Sequence, residues 1–406
     1  MVSSLILLAA AAASAVADPI TVEPVCLDDA VPGYATFQSH NQKVVCNERG
    51  IFLAYLRTRN EAYTAQTWRL MRSEDDGETF SVVYEAVHAT NPPVIETDGQ
   101  NNIHLVRVDL VDNNAYYYRF LATNNYENPE VTTIPGGAAG KYTLMLDAPR
   151  NQLYFFSHNN SFHVLGLDGT LLQSFNLLTG GEHAVLQYPL LGLADDGELF
   201  AAWTTVKHNA YLYWDIHALR STDAAQTWRD LAGKAVDLPV IADDTGPATR
   251  ISGDDEFEVH TWLSSFAVKQ EKLHFMYLAQ TVPPRERYIR YDAETGARDV
   301  DIAPVFGGET LQIQALDGFF AHTADGPLFA TGSHAGKVTC LRSGDNGATW
   351  HDHAQSEKAY NVYAFGGCRA VTRDGYILGT FTDQAGSNTS EERSSKLYFV
   401  RIPVAP

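Results

Sequence analysis

An eight-residue pattern occurs three times in this 406-residue chain. Ser73–Phe80 reads SEDDGETF, Ser221–Trp228 reads STDAAQTW and Ser343–Trp350 reads SGDNGATW. An arginine precedes each copy: Arg72, Arg220 and Arg342. The template, S-x-D-x-G-x-T-[FW], suits a tight hairpin. The Asp side chain can accept hydrogen bonds from N–H groups inside the turn, Gly tolerates positive φ, and the aromatic can plug between neighbouring sheets. The second copy carries Ala225 where the template expects Gly. A turn repeated three times at long intervals implies a fold built by repeating one β unit.

The rest of the chain supplies the repeats. Short runs rich in aromatic and β-branched residues recur at 51–57, 103–107, 153–158, 199–204, 273–278, 328–334 and 377–381. Asp-Gly turns precede several of them, at Asp98-Gly99, Asp196-Gly197, Asp325-Gly326 and Asp374-Gly375. Seven such units give roughly 55 residues each, the size of a four-stranded propeller blade with long loops. The triplicated turn resembles the Asp-box of sialidase-like β-propellers. The expected fold is therefore all-β, a seven-bladed β-propeller with Asp-box repeats, spanning residues 18–406 as a single domain. The boxes fall in units one, four and six as turns between the third and fourth strands. They are scaffold and say nothing about the reaction.

Composition limits the partners. A formal net charge of −20 argues against nucleic acid and anionic membranes, and a monomer is expected. Residues 1–17 read as a secretory signal, with an apolar run from Leu5 to Ala13 and Ala15-Val16-Ala17 before Asp18. The run is too short to span a bilayer. Secretion makes two disulfides the expected state of the four cysteines, with Cys26–Cys46 and Cys340–Cys368 the favoured pairs. Asn159 and Asn388 lie in glycosylation sequons.

Propeller topology sorts the polar residues. The starts of the innermost strands and the ends of the second strands meet at one mouth of the central channel. The strand starts are expected to present His40, His88, Lys141, His183 with Tyr188, His260 with Trp262, His322, and Tyr363 with Arg369. The strand ends add Arg57, Arg107, His158, Lys207-His208, Arg285 and His334. Bases and aromatic rings thus gather on one rim of an acidic protein. Any one of these histidines is more often structural. It is their convergence that points to function.

His, Tyr, Arg and Lys around an oxygen-rich substrate suit β-elimination from a uronic acid. The C5 proton is acidified by the adjacent carboxylate. Its removal needs a donor or cation that neutralises that carboxylate, a base, and an acid for the leaving O4. No cofactor is required. Converging histidines leave room for a structural metal, but no ligand set stands out.

Asp-boxes, seven units, an apparent signal and Tyr188-Pro189 opening an inner strand resemble the propeller polysaccharide lyases. These include the ulvan lyases and the fungal enzymes that release L-rhamnose from rhamnosyl-glucuronate ends of gum arabic. The resemblance implies a secreted lyase acting at O4 of glucuronate in a uronic-acid polysaccharide. His158 matches the family's His and Tyr188 its Tyr, whereas Thr204 stands where the family has an Arg. It assigns His158 or His183 as base and Tyr188 as acid. Lys207, His208, or an Arg from another blade such as Arg57 or Arg285 would stand in for the Arg. His40, His88, His260, Trp262, Arg285, His334, Tyr363 and Arg369 would contact the sugar. Two other classes compete. A sialidase-like hydrolase needs an R-I-P motif in the first blade, and the only one here is Arg401-Ile402-Pro403 near the C-terminus. A hydrolase with paired carboxylates would draw on Glu182, Asp109, Asp255 or Asp383. A non-catalytic glycan-binding propeller would use the same rim without cleaving.

Overall fold

The computed structural model describes residues 18–37, 41–58, 66–208, 212–243, 249–252, 259–281, 284–311, 318–385 and 393–405. They form seven β-sheets of four or five strands, the blades of a propeller, with two small two-stranded ribbons beside them. The innermost strands, in chain order, are Val44–Asn47, Val94–Thr97, Tyr142–Asp147, Ala184–Leu193, Thr261–Lys269, Phe319–His322 and Val362–Gly367. Each pairs antiparallel with a second strand. These second strands match the seven apolar runs expected from sequence, two of which run one residue past the strand end.

The N-terminus closes the ring. Val25–Val31 pairs antiparallel with Ser395–Pro403 as the outermost strand of blade 7. Ile20–Val22 then adds in parallel to His351–Ser356 at the edge of blade 6. Asp28, on the closing strand, draws in blade 1. Its Oδ2 lies 2.9 Å from Arg57 Nε and 3.3 Å from Arg69 Nη1, and accepts the Tyr55 hydroxyl at 2.9 Å. Arg57, expected to face a substrate carboxylate, is instead held by this clamp.

The three Asp-boxes are turns between third and fourth strands and share one hydrogen-bond set. Asp75 Oδ1 accepts the Thr79 N–H at 2.9 Å, and the Ser73 hydroxyl accepts the Gly77 N–H at 2.8 Å. Asp223 and Asp345 repeat the first bond at 2.9 and 2.8 Å. Donation from Thr79 and Ser73 holds the Asp75 carboxyl down at about 2. Each box aromatic packs on the preceding blade. Phe80 meets Phe399 at 5.1 Å, Trp228 meets Phe162 at 5.5 Å and Trp350 meets Tyr288 at 5.1 Å. The box is therefore a blade-to-blade fastener.

The degenerate copy has a physical explanation. Gly77, Ala225 and Gly347 all have positive φ, at 93°, 69° and 86°. A Cβ at Gly77 would lie 2.4 Å from Phe399 Cε1, and one at Gly347 would lie 1.8 Å from Tyr288 Oη. At Ala225 the methyl is accommodated, buried in the apolar cluster that contains Trp228.

The expected disulfides are not formed, and all four cysteines are free. Cys26 is on the outermost strand of blade 7 and Cys46 on the innermost strand of blade 1. Three strand spacings separate the outer and inner edges of a blade, roughly 14 Å. Disulfide-bonded Cα atoms lie within about 7 Å. Cys340, on a third strand, and Cys368, just past an innermost strand, belong to different apolar clusters. The Asn159 sequon is also occupied by folding. Its amide donates to Gly136 O at 2.8 Å and Ala138 O at 3.1 Å. Asn388 and the 1–17 segment lie outside the described residues. Among the described residues no helix is long and apolar enough to cross a membrane.

Gly347→Ala should lower unfolding free energy by at least about 2 kcal/mol, because it combines αL strain with a clash. Ala225→Gly should change it by less than about 1 kcal/mol, since relieved strain offsets a lost buried methyl. Urea midpoints of the two variants measure both. Equal destabilisation would contradict the packing account.

Candidate functional site

The channel has two mouths with different chemistry. At the Asp-box end, the turns after the innermost strands surround a cavity of about 540 Å³ lined by Gln42, Glu96, Asp147, Asp195, His322 and Arg369 among others. Arg369 and His322 were expected at the opposite rim. His322 ends its innermost strand and Arg369 follows its own, so both emerge at this end. The Arg369 guanidinium pairs with buried Glu96 and donates to Leu144 O at 2.7 Å. Gln42 completes the ring, donating to Glu96 at 2.8 Å and accepting the Arg369 N–H at 2.9 Å. Arg369 is committed to tying blades 1, 2, 3 and 7 together.

The other mouth gathers the histidines. Lys141 immediately precedes the innermost strand of blade 3, and His158 immediately follows the second strand. The Lys141 backbone N–H donates to His158 Nδ1 at 2.9 Å. An amide N–H can only donate, and its shorter contact outweighs the Lys141 carbonyl 3.4 Å from the same nitrogen, so Nδ1 is assigned as acceptor. The imidazole therefore carries its proton on Nε2. Burial and the Lys141 charge beside it push His158 down to about 4. In this tautomer His158 is a neutral N–H donor, an arrangement that suits donation better than the base role expected from sequence. His260, just before the innermost strand of blade 5, repeats the device. Its Nδ1 accepts the Tyr213 N–H at 2.9 Å, and burial lowers its pKa.

Tyr188 sits between these two histidines in blade order. The strand ladder slips between Leu186 and Tyr188, a bulge of the kind that re-aims side chains beside functional sites. The Tyr188 hydroxyl lies 3.0 Å from that of Tyr213. Lys141 Nζ lies over the Tyr188 ring, 5.1 Å from its centroid. Tyr188 is only 2% exposed, so it forms the floor of the mouth rather than its surface. Beside it, His260 packs on Trp262 at 4.3 Å and Tyr213 on Trp262 at 4.9 Å. Tyr363 meets Tyr34 at 5.0 Å and Phe37 at 6.4 Å. Phe37 and Tyr188 belong to one apolar cluster, against which Tyr34, Trp262 and Tyr363 pack. Aromatic rings thus bridge blades 4, 5 and 7 at this mouth.

Other expected residues sit nearby or elsewhere. Thr204 is buried and accepts the Leu263 N–H at 3.0 Å. Lys207 Nζ lies 5.1 Å from the centroid of Trp214, whose other neighbour is the exposed His183 at 5.5 Å. His208 Nε2 is 3.0 Å from Gly181 O and braces that loop. His88 is exposed in the loop between blades 1 and 2, its carbonyl accepting from Arg107. His334 is buried against Phe306, with Glu309 at 4.0 Å. His40 and the Arg285 side chain lie outside the described residues. The rim carboxylates are largely engaged in holding backbone. Asp109 accepts the Val111 N–H at 3.0 Å and Asp383 the Asn361 N–H at 2.8 Å. Asp255 is outside the described residues, and Glu182 is exposed. Arg401 of the R-I-P sequence pairs with Asp374 on blade 7. No group of three or more potential metal ligands occurs among the described residues.

Lys141 is the residue that sequence reasoning placed on the rim but left without a role. Its signal was its position, directly ahead of an innermost strand.

Comparisons with known proteins bear on the fold. No family description and no curated protein matches the sequence. Solved structures do. An ulvan lyase of a polysaccharide lyase family superposes with a TM-score of 0.63 at 13% identity, covering 94% of this chain and 96% of that one. The polysaccharide lyase Uly1 gives 0.64 at 11% identity, over 95% and 100%. The same ulvan lyase has also been solved bound to -[GlcA(1-4)Rha3S]-. An α-L-arabinanase of Penicillium chrysogenum gives 0.50 at 9% identity. The chain has the propeller architecture of these lyases across nearly its whole length.

Five buried or half-buried histidines have pKa values far below the ordinary value, His274 among them. Burial pushes His158, His163 and His322 down to about 4 and His217 to about 3. In the unfolded chain they titrate near 6.5. Between pH 6.5 and 4 the unfolded state binds more protons, so stability complete above pH 6.5 is lost on acidification. The urea midpoint should fall clearly from pH 7.5 to pH 5. A constant midpoint would contradict neutral buried imidazoles.

Proposed function

We propose that this protein is a secreted polysaccharide lyase that cleaves the bond at O4 of a glucuronate residue by β-elimination. The preferred substrate is a rhamnosyl-glucuronate unit of the gum arabic type. The observation that carries this reading is the Tyr188 cluster: a tyrosine hydroxyl bonded to Tyr213, with the Lys141 ammonium over its ring and the Lys141 backbone N–H on the His158 imidazole. Fold likeness to an ulvan lyase supports it, since that enzyme was solved with a glucuronate–rhamnose sulfate chain. The 1–17 segment supports secretion.

In this reading the proton on C5 leaves to a base, and its electron pair forms the C4–C5 double bond. The C4–O4 bond breaks, and O4 takes a proton to become the new hydroxyl. Tyr188 is the group that handles protons at this centre. Its hydroxyl can accept a hydrogen bond from Tyr213, and the Lys141 ammonium lies over its ring. His158 donates from Nε2 toward the carboxylate, where negative charge builds as C5 loses its proton. That role replaces the base role expected from sequence. Trp262, Tyr34 and Tyr363 offer apolar faces to neighbouring sugars.

The geometry is less suited to hydrolysis. A carboxylate pair flanking a glycosidic bond is the usual requirement, and Asp109 and Asp383 are engaged with backbone N–H groups.

The purified protein should generate absorbance near 235 nm, the signature of an unsaturated uronate, from gum arabic or ulvan. Tyr188→Phe should lower the rate at least about tenfold. Full activity in that variant would remove Tyr188 from the reaction. Free sugar without the chromophore would make the protein a hydrolase. Binding without any product would make it a glycan-binding propeller.

A further inference from the structure

We infer that Lys141 is the counter-charge for the substrate carboxylate, supplied from blade 3. This rests on the lyase reading for its consequence in catalysis, but the charge pairing stands on geometry of its own.

The cations around this mouth differ in how they are used. Arg57 is held by Asp28, Arg107 lies 3.7 Å from Asp109 and 3.0 Å from the Tyr118 hydroxyl, and Arg287 pairs with Asp301 at 2.7 Å. Lys207 lies over Trp214. Lys141 is half-buried, and among the described residues no carboxylate lies within ion-pair distance of its ammonium. Its ammonium lies over the face of the Tyr188 ring. Burial lowers its pKa to about 8. A partly desolvated cation without an anion is unfavourable for folding alone. It is the arrangement expected of a site that receives its anion from a ligand. In a chain of net charge −20, such a cation also provides local attraction for a uronate.

Position strengthens the argument. The backbone of Lys141 fixes the His158 tautomer, while its side chain lies on Tyr188. One residue therefore touches both other members of the cluster. A carboxylate received by Lys141 Nζ comes within reach of His158, and the adjoining C5 comes toward Tyr188. Moving the ammonium from the ring to the carboxylate would also help uncover Tyr188, which is buried in the free protein. Lys141 is a flexible point charge, unlike the rigid fork of an arginine, and can make this movement.

Two variants and two probes test the inference. Lys141→Met keeps the packing stem and removes the charge. Lys141→Arg keeps the charge. The probes are a glucuronate-containing oligosaccharide prepared from ulvan and the same oligosaccharide with its carboxyls reduced to alcohols. Calorimetry should show wild type binding the acid at least about tenfold more tightly than the alcohol, with that preference lost in Lys141→Met and largely kept in Lys141→Arg. In the 235 nm assay, Lys141→Met should lose about 100-fold or more in kcat/KM while melting as a folded protein. A folded Lys141→Met that still prefers the acid overturns the inference, whatever its activity. Should Lys141→Met fail to fold, Lys141→Arg decides: loss of acid preference despite retained charge would count against it. A wild type that makes no unsaturated product refutes the lyase reading, and the binding comparison still judges Lys141.

Discussion

Everything at this site depends on closing the ring. Seven sheets must be held around one axis so that residues far apart in sequence share a mouth. The chain does this by lending its first strands to its last two blades. Asp28 on the lent strand then takes two arginines and a tyrosine from blade 1. The Asp-box aromatics reinforce that same junction through Phe80 and fasten two further ones, each box packing on the sheet before it. With the ring held, Lys141, Tyr188 and His260 come together from blades 3, 4 and 5. None of them neighbours another in sequence.

The mouth itself is organised by backbone amides. Two histidines accept main-chain N–H groups on Nδ1, which fixes both as neutral Nε2–H donors. That arrangement serves charge that appears during a reaction better than charge already present. The standing positive charge comes from Lys141. The protein carries a large negative excess overall, and its basic character at this mouth is local. Such a surface suits an acidic glycan presented one residue at a time better than a polyanion laid along the whole face.

Much of the architecture was legible in the sequence. The three boxes and seven apolar runs identified the blades, because turn chemistry and strand patterning are local properties. Position around the channel was legible only where a strand boundary was clear. His158 and Lys141 flank well-marked strands and were correctly placed on the rim. Arg369 follows the short inner strand of blade 7, and without that boundary its end of the channel could not be read. Arg57 was correctly placed at a strand end, but its partner Asp28 arrives only through closure of the ring. The cysteine pairs failed for the same reason: proximity in a propeller depends on radius as well as blade number. The His158 proton could not be read at all, since it is set by one backbone N–H.

The most direct measurement of the central claim is to run the cleavage in water enriched in oxygen-18 and weigh the products. Elimination adds no water, so the fragment masses should sum to the substrate mass. The new non-reducing end should be lighter by one water and carry no label. Products that sum to substrate plus one labelled water would show hydrolysis and contradict the account of this site.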